Sequence, residues 1–151
     1  MRIVAGCLLV AAASVVLAPS SQELHSRYGE PDMERFTVRP GISVTVEYGS
    51  DHLACHVLIE PPQSLIHRDE QARLMSSEVV SEVLEEIVPA ATRGKEISTG
   101  SFQSGCNVAG ITQYENVSIM RSTHTCDLAS PDQDARTIIT FKRDICPKQT
   151  K

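Results

Sequence analysis

Two alternating runs of residues, Ile42–Tyr48 and 53–60, constrain the fold of this chain more than any other feature. In the first run apolar side chains alternate with polar ones, and this period of two is typical of strands with one buried face. The second run has Leu53, Cys55, Val57 and Ile59 on one face and Ala54, His56, Leu58 and Glu60 on the other. Residues 49–52, Gly-Ser-Asp-His, lie between the runs as a turn. The sequence therefore predicts a β-hairpin with the apolar pairs Tyr48–Leu53, Val46–Cys55, Val44–Val57 and Ile42–Ile59.

An amphipathic helix is predicted after the hairpin, which ends at Pro61-Pro62 because proline donates no hydrogen bond to a strand ladder. Ser76 and Ser77 are candidates to cap its first turn, and Pro89 stops it. Its apolar positions are Val79, Val80, Val83, Leu84, Ile87 and Val88, and its acidic positions are Glu78, Glu82, Glu85 and Glu86. We expect the apolar side to pack on the hairpin and the acidic side to face solvent.

Strand patterns resume in the second half of the chain. Residues 89–105 are rich in Ser and Gly and are predicted to be a loop, whereas residues 108–112, 117–123 and 136–143 have strand character. The predicted class is therefore α+β, a two-layer sandwich of a mainly antiparallel sheet with one amphipathic helix on one face. The expected order of elements is ββαβββ or ββαββ.

The first twenty residues are predicted to be a secretory signal peptide. Met1-Arg2 precedes an apolar run over residues 3–17, and small residues follow, with cleavage after Ser20 or, alternatively, before Ser14. An uncleaved membrane anchor is the rival interpretation, but a spanning helix needs about 20 apolar residues and this run stops short of that at Pro19. We expect a secreted or periplasmic protein that keeps no stable membrane anchor after cleavage.

The rest of the chain divides into a flexible leader at residues 21–33, a single disulfide-stabilised α+β domain at residues 34–147 and a tail at residues 148–151. After signal removal about 130 residues remain, which suits one hydrophobic core. Export places the sulfur atoms in an oxidising compartment, so four cysteines are predicted to form two disulfides, namely Cys55, Cys106, Cys126 and Cys146. Three pairings are possible, and we favour Cys106 with Cys126 and Cys55 with Cys146.

Charge and composition exclude some classes of partner. Without Arg2 the chain has 13 Lys and Arg against 19 Asp and Glu, a balance of −6, which repels nucleic-acid phosphates. Trp is absent and only 3 Tyr and 3 Phe occur, too few for a stacking platform. We therefore expect no nucleic-acid partner, and the sequence leaves an unknown protein or small molecule as the partner and the oligomeric state open.

Metal and cofactor sites are not predicted. The gaps between successive cysteines of these four are 51, 20 and 20 residues, so no pair of them has the Cys-x-x-Cys spacing of a zinc or redox site. His52, Cys55 and His56 have the right residue types, with Asp51 and His67 nearby, but residues four apart in a strand lie about 13 Å from each other. Histidines around an exposed turn are the simpler interpretation.

No catalytic residues are predicted either. Cys106 with His124 and Asp127 resembles a nucleophile, base and orienting acid in residue type alone, and an oxidised Cys106 has no such role. Ser101 and Ser104 lack the Gly-x-Ser-x-Gly motif of serine hydrolases.

Two short patterns have ordinary explanations. The Glu78, Glu82 and Glu86 stripe is predicted to be a solvated helix face, with docking of a cationic partner as the alternative. Asn116-Val117-Ser118 matches a glycosylation sequon, which matters only in a host with that pathway.

The sequence leaves molecular function unknown and favours a non-catalytic binding or interaction module. The alternative is an extracytoplasmic enzyme or inhibitor-like effector with a site assembled from separate loops. In both cases we expect the site in the segment 93–106 together with the turn at residues 49–52.

Overall fold

A computed structural model describes residues 20–63, 75–124, 133–144 and 146, with the side chains of Glu23 and His124 left out. The chain divides into two units, Met1–Pro31 and Asp32–Lys151. Most of the predicted signal, residues 1–19, lies outside the described residues. Within the described ranges, no helix has both the length and the apolar character needed to cross a bilayer.

The described part of the first unit contains helix α1, Ser21–Tyr28. The sequence prediction assigned a flexible leader to these residues and did not include a helix. Leu24 and Tyr28 lie one helical turn apart and are both exposed. This short element therefore exposes both of its large apolar side chains.

The second unit holds the sheet. Its elements, in chain order, are β1 Met33–Arg39, β2 Ile42–Tyr48, β3 Ala54–Glu60, β4 Met75–Ser76, α2 Ser77–Ile87, α3 Ala90–Arg93, β5 Glu96–Ser104, β6 Asn107–Tyr114, β7 Val117–His124, β8 Gln133–Asp134 and β9 Arg136–Phe141. Seven strands form one sheet in the order β1-β2-β3-β9-β7-β6-β5, and all neighbours are antiparallel. The remaining two short strands, β4 and β8, pair with each other.

This architecture confirms the α+β class with a mainly antiparallel sheet. The finer prediction was wrong in two respects: α1 and α3 accompany the amphipathic helix, and the strand order differs from ββαβββ and ββαββ. Strand β1 was missed because the charged residues Glu34, Arg35 and Arg39 interrupt its apolar pattern at the sheet edge. Strand β9 lies between β3 and β7, so it joins the N-terminal and C-terminal halves of the sheet.

The β2–β3 hairpin is present, but its predicted register was wrong by two residues. Val44 pairs with Ile59 and Val46 pairs with Val57, rather than with Val57 and Cys55. A register irregularity after Glu47 and a longer turn explain the shift, since the Gly49 N–H donates to the Leu53 carbonyl. A register shift of two residues leaves each side chain on its predicted face of the hairpin. The predicted core face is therefore correct although the register is not.

The core lies between α2 and one face of the sheet. Val57, Ile59 and Ile139 on the central strands are almost fully buried, and Val80 and Val83 of α2 belong to the same cluster. Glu78, Glu82, Glu85 and Glu86 on the other side of α2 are exposed, as its amphipathic pattern predicts. Helix α2 therefore forms because its apolar stripe covers the centre of the sheet.

The start of α2 is fixed by an arginine rather than by a serine cap. Ser76 occupies the N-cap position but makes no side-chain capping hydrogen bond, which contradicts the capping prediction. Instead, Arg121 of β7 donates to the Ser77 carbonyl at 3.1 Å and to Ser81 Oγ at 3.0 Å. Its Nε also donates to buried Asp134 at 3.1 Å, and this carboxylate balances the arginine charge beside the positive end of the helix dipole.

Two neighbouring isoleucines of β9 test which sheet face carries the core. Ile139→Ala empties a fully buried position and is expected to lower the free energy of unfolding by about 2–5 kcal/mol. Ile138→Ala removes the same atoms from a half-buried position on the opposite face, so its cost is expected to be clearly smaller. Urea unfolding of both variants with disulfides intact measures the difference. Equal losses in the free energy of unfolding contradict the placement of Ile139 on the core face and Ile138 on the opposite face.

Candidate functional site

The structure contains a disulfide between Cys55 and Cys146, with an S–S distance of 2.10 Å and a Cα–Cα distance of 5.3 Å. This is one of the two pairs that the sequence favoured. Cys106 is also disulfide-bonded, and its favoured partner Cys126 lies outside the described residues. Cys55 and Cys106 therefore carry no thiolate for a metal ion or for nucleophilic attack.

The metal-like residues around the β2–β3 turn serve other purposes. His52 lies in the turn with a left-handed backbone φ of 59°, and a ring nitrogen of His56 lies 3.3 Å from Thr140 Oγ1. His67 falls outside the described residues. In the part of the chain that the structure describes, no group of three His, Cys, Asp or Glu residues could hold a metal ion.

The C-terminal segment fastens the same turn. Arg143 forms an ion pair with Asp51, whose other carboxylate oxygen accepts a hydrogen bond from the Leu53 N–H at 3.2 Å. Partial desolvation raises the pKa of Asp51, but the hydrogen bonds from Arg143 and the backbone, together with the arginine charge, outweigh it and lower the pKa below its ordinary value. The turn at residues 49–52 therefore has a structural role, beside the Cys55–Cys146 disulfide.

The structure describes the side chain of only one member of the candidate nucleophile set, Cys106. Cys106 is oxidised, the His124 side chain is not described, and Asp127 lies outside the described residues. Ser101 and Ser104 both lie on the exposed strand β5.

Two carboxylates with unusual surroundings also have structural partners. Glu60 is buried, and it lies 3.5 Å from an Arg35 nitrogen, 3.9 Å from an Arg136 nitrogen and within hydrogen-bond distance of Gln63. Glu34 accepts a 2.7 Å hydrogen bond from the Tyr48 hydroxyl, and that bond, with desolvation and the glutamate charge, raises the pKa of Tyr48. Both pairings tie strands of the sheet together.

The acidic stripe and the sequon likewise take part in local contacts. All four glutamates of α2 are exposed; among them, Glu86 pairs with Arg39 and Glu85 pairs with Arg93. At the β6–β7 turn, Asn116 Nδ2 donates to the Thr92 carbonyl at 2.9 Å. The amide that a glycan requires thus fastens α3 to this turn.

Strand β5 differs more from its sequence prediction than any other described element. The segment was predicted to be a loop, but residues Glu96–Ser104 pair with β6 along the edge of the sheet. All nine residues are exposed, so neither face shows the apolar alternation that marks a half-buried strand. Its Ser, Thr and Gly content therefore suggested a turn region, although long-range pairing imposes a strand.

After Glu96, the hairpin formed by β5 and β6 carries no charge. None of the eighteen residues 97–114 is Asp, Glu, Lys, Arg or His, although 22% of the whole chain is Asp, Glu, Lys or Arg. We call residues 97–114 the uncharged hairpin. This gap in the charge pattern was the one signal in the sequence that could have identified the segment.

The two edges of the sheet differ in how they are protected against pairing. Natural edge strands usually carry charges or proline that prevent another strand from adding to them. Strand β1 has Glu34, Arg35 and Arg39, whereas β5 has only Glu96 at its first position. Strand β5 also exposes Ile97 at 63% and Phe102 at 53% of their surface.

The tight turn between β5 and β6 determines which backbone groups of β5 face away from the sheet. Ser104 pairs with Asn107 across the two-residue turn Gly105-Cys106, which makes this a hydrogen-bonded pair. Hydrogen-bonded pairs alternate along an antiparallel ladder, so Phe102 and Gly100 bond inward to β6. The amide and carbonyl groups of Thr99, Ser101 and Gln103 therefore face away from the sheet.

Comparison with known proteins gives no relative of this chain. No family model, no curated protein and no solved structure matches it.

The disulfide is expected to contribute strongly to stability. The Cys55→Ser, Cys146→Ser double variant releases a cross-link between residues 91 apart in sequence, and we expect the free energy of unfolding to fall by about 2–5 kcal/mol. Urea unfolding of the oxidised wild type and the double variant measures the loss. An unchanged midpoint would show that Asp51, Arg143 and the core hold this corner without the bond.

The Asp51–Arg143 pair is expected to appear in the acid limb of the stability profile. Because the folded-state pKa of Asp51 is lowered, its contribution is present above the unfolded-state pKa and is lost as the pH falls through the folded-state value. Asp51→Asn should therefore reduce the fall in Tm between about pH 6 and about pH 2.5. Glu82→Gln, at an exposed carboxylate of α2, is the control, and an identical acid limb in wild type and Asp51→Asn contradicts the prediction.

Proposed function

We propose that this protein is an exported, non-catalytic binding module that adds an extended segment of another polypeptide to the free edge of β5. The observation that carries this proposal is the combination, on one edge strand, of full exposure, no charged residue after Glu96 and exposed apolar side chains. Strand addition is a common mode of peptide recognition in which backbone hydrogen bonds supply affinity and side-chain contacts supply specificity.

The edge supplies both kinds of contact. Thr99, Ser101 and Gln103 direct backbone donors and acceptors outward, and an incoming strand satisfies them as a sheet neighbour would. Phe102 offers an aromatic surface at the centre of the same strand. We therefore expect the partner segment to be extended, at least five residues long and rich in apolar or uncharged side chains.

Export is part of this proposal. The Cys55–Cys146 disulfide suits an oxidising compartment, and the apolar N-terminal run has the composition of a secretion signal. The candidate nucleophile Cys106 is held in a disulfide, which disfavours the alternative of an enzyme that uses this thiol. A binding role instead uses a surface that the structure presents directly.

A single lysine on each edge tests the proposal. Ser101→Lys places a charge at the centre of the exposed β5 edge, whereas Thr37→Lys places the same charge on exposed β1 at the opposite edge. The immobilised mature protein is incubated with the extracellular or periplasmic fraction of its host, and captured proteins are quantified by mass spectrometry. We expect Ser101→Lys to reduce capture of a specific partner at least about tenfold, which corresponds to roughly 1.4 kcal/mol, and Thr37→Lys to leave it unchanged.

Matched thermal unfolding confirms that both lysine variants are folded, since each replaces an exposed side chain. Capture that is equal for wild type and Ser101→Lys contradicts the β5 edge as the binding surface. Turnover of a substrate by the purified protein contradicts the non-catalytic role.

A further inference from the structure

The strand that pairs with β5 can be identified further, and this inference rests on the proposed binding function of the β5 edge. We infer that β5 pairs antiparallel with β5 of a second copy of this chain, about a twofold axis through Ser101. The two sheets then form one continuous sheet across a symmetric dimer. Such twofold interfaces are the commonest in homo-oligomers, and each must be complementary to itself.

Charge distribution is the first observation that favours a second copy. The whole chain has a formal charge of −5, so two copies repel each other over most orientations. The uncharged hairpin, residues 97–114, is a continuous strand pair without that repulsion, and its β5 strand is fully exposed. Two copies that meet at β5 bring no charged residue of this hairpin against another, whereas two copies that meet at β1 place Glu34, Arg35 and Arg39 in the contact.

The register of the strand is the second observation. An antiparallel pair must match outward-facing groups with outward-facing groups, and a twofold axis at Ser101 does so by pairing Thr99 with Gln103 of the other copy. All seven residues from Ser98 to Ser104 are then paired. Both copies use the same donors and acceptors, as twofold symmetry requires.

The side chains also match in this register. Phe102 of each copy lies opposite Gly100 of the other, on the face of the sheet that α2 does not cover. A Cβ atom at Gly100 would meet nothing within 4 Å, so the space above this glycine is open. Ile111 is the β6 neighbour of Gly100, so an aromatic ring placed over the glycine also covers an apolar residue. Covering of strand glycines by cross-strand aromatics is a known device that fixes strand register.

Charged residues introduced at the twofold axis give a direct test. Two lysines at position 101 lie directly opposite each other in the dimer, and like charges in such a pair destabilise it. We expect Ser101→Lys and Ser101→Glu each to weaken self-association at least about fivefold, and an equimolar mixture of the two to restore association to within about threefold of wild type. Sedimentation velocity of the full mature chain, with disulfides intact and up to about 200 μM to reach a small interface, measures each case.

The matched control is Thr37→Lys on β1, which should associate like the wild type. Phe102→Ser should weaken association without lowering the thermal midpoint measured at a concentration where the wild type is monomeric, because the ring is exposed in the single copy. A wild type that remains monomeric at the highest concentration, or a Lys and Glu mixture that associates no better than either variant alone, overturns the inference.

The same variants separate this inference from the proposed function. If the wild type is monomeric while its capture of another protein depends on Ser101, that result overturns the inferred dimer and leaves binding of another polypeptide at the β5 edge in place. A wild type that dimerises through Ser101 but captures a partner independently of that residue supports the dimer and contradicts partner binding at the edge.

Discussion

The pairing of β9 with both β3 and β7 is the interaction on which the rest of this structure depends. The chain builds β1, β2 and β3 from its N-terminal half and β5, β6 and β7 from its C-terminal half. Among the strands that the structure describes, only β9 hydrogen-bonds to both groups. Ile139 of β9 is fully buried between Val57 of β3 and Ile119 of β7 on the core face. Helix α2 can cover a single core only because this strand brings the two halves side by side.

Local patterns predicted the parts of the fold that have one buried face. The β2–β3 hairpin, helix α2 and the strands near residues 108–112 and 117–123 all followed from apolar periodicity, because burial of one face imposes that periodicity. The hairpin register was missed because an irregularity after Glu47 is set by turn geometry rather than by the apolar pattern. The order of strands was missed because the position of β9 results from pairing between residues far apart in sequence.

The candidate site escaped prediction for a related reason. Strand β5 has no buried face, so the periodicity that identifies strands is absent from it. Its lack of charge was visible in the sequence, but a stretch rich in Ser and Gly without charge is equally typical of a loop. Only its pairing with β6 places Phe102 and the outward amides of Thr99, Ser101 and Gln103 on one exposed edge. The surface chemistry was therefore readable in advance, but its geometry was not.

The late position of β9 in the chain also bears on biogenesis. A nascent polypeptide that has been synthesised only to β7 contains two separate strand groups, and their apolar faces have no central strand to join them. The Cys55–Cys146 bond, whose second sulfur lies beyond β9, likewise forms only after β9 has been synthesised. The two strand groups can therefore join around one core only after β9 has been synthesised, and until then their apolar faces are open to aggregation.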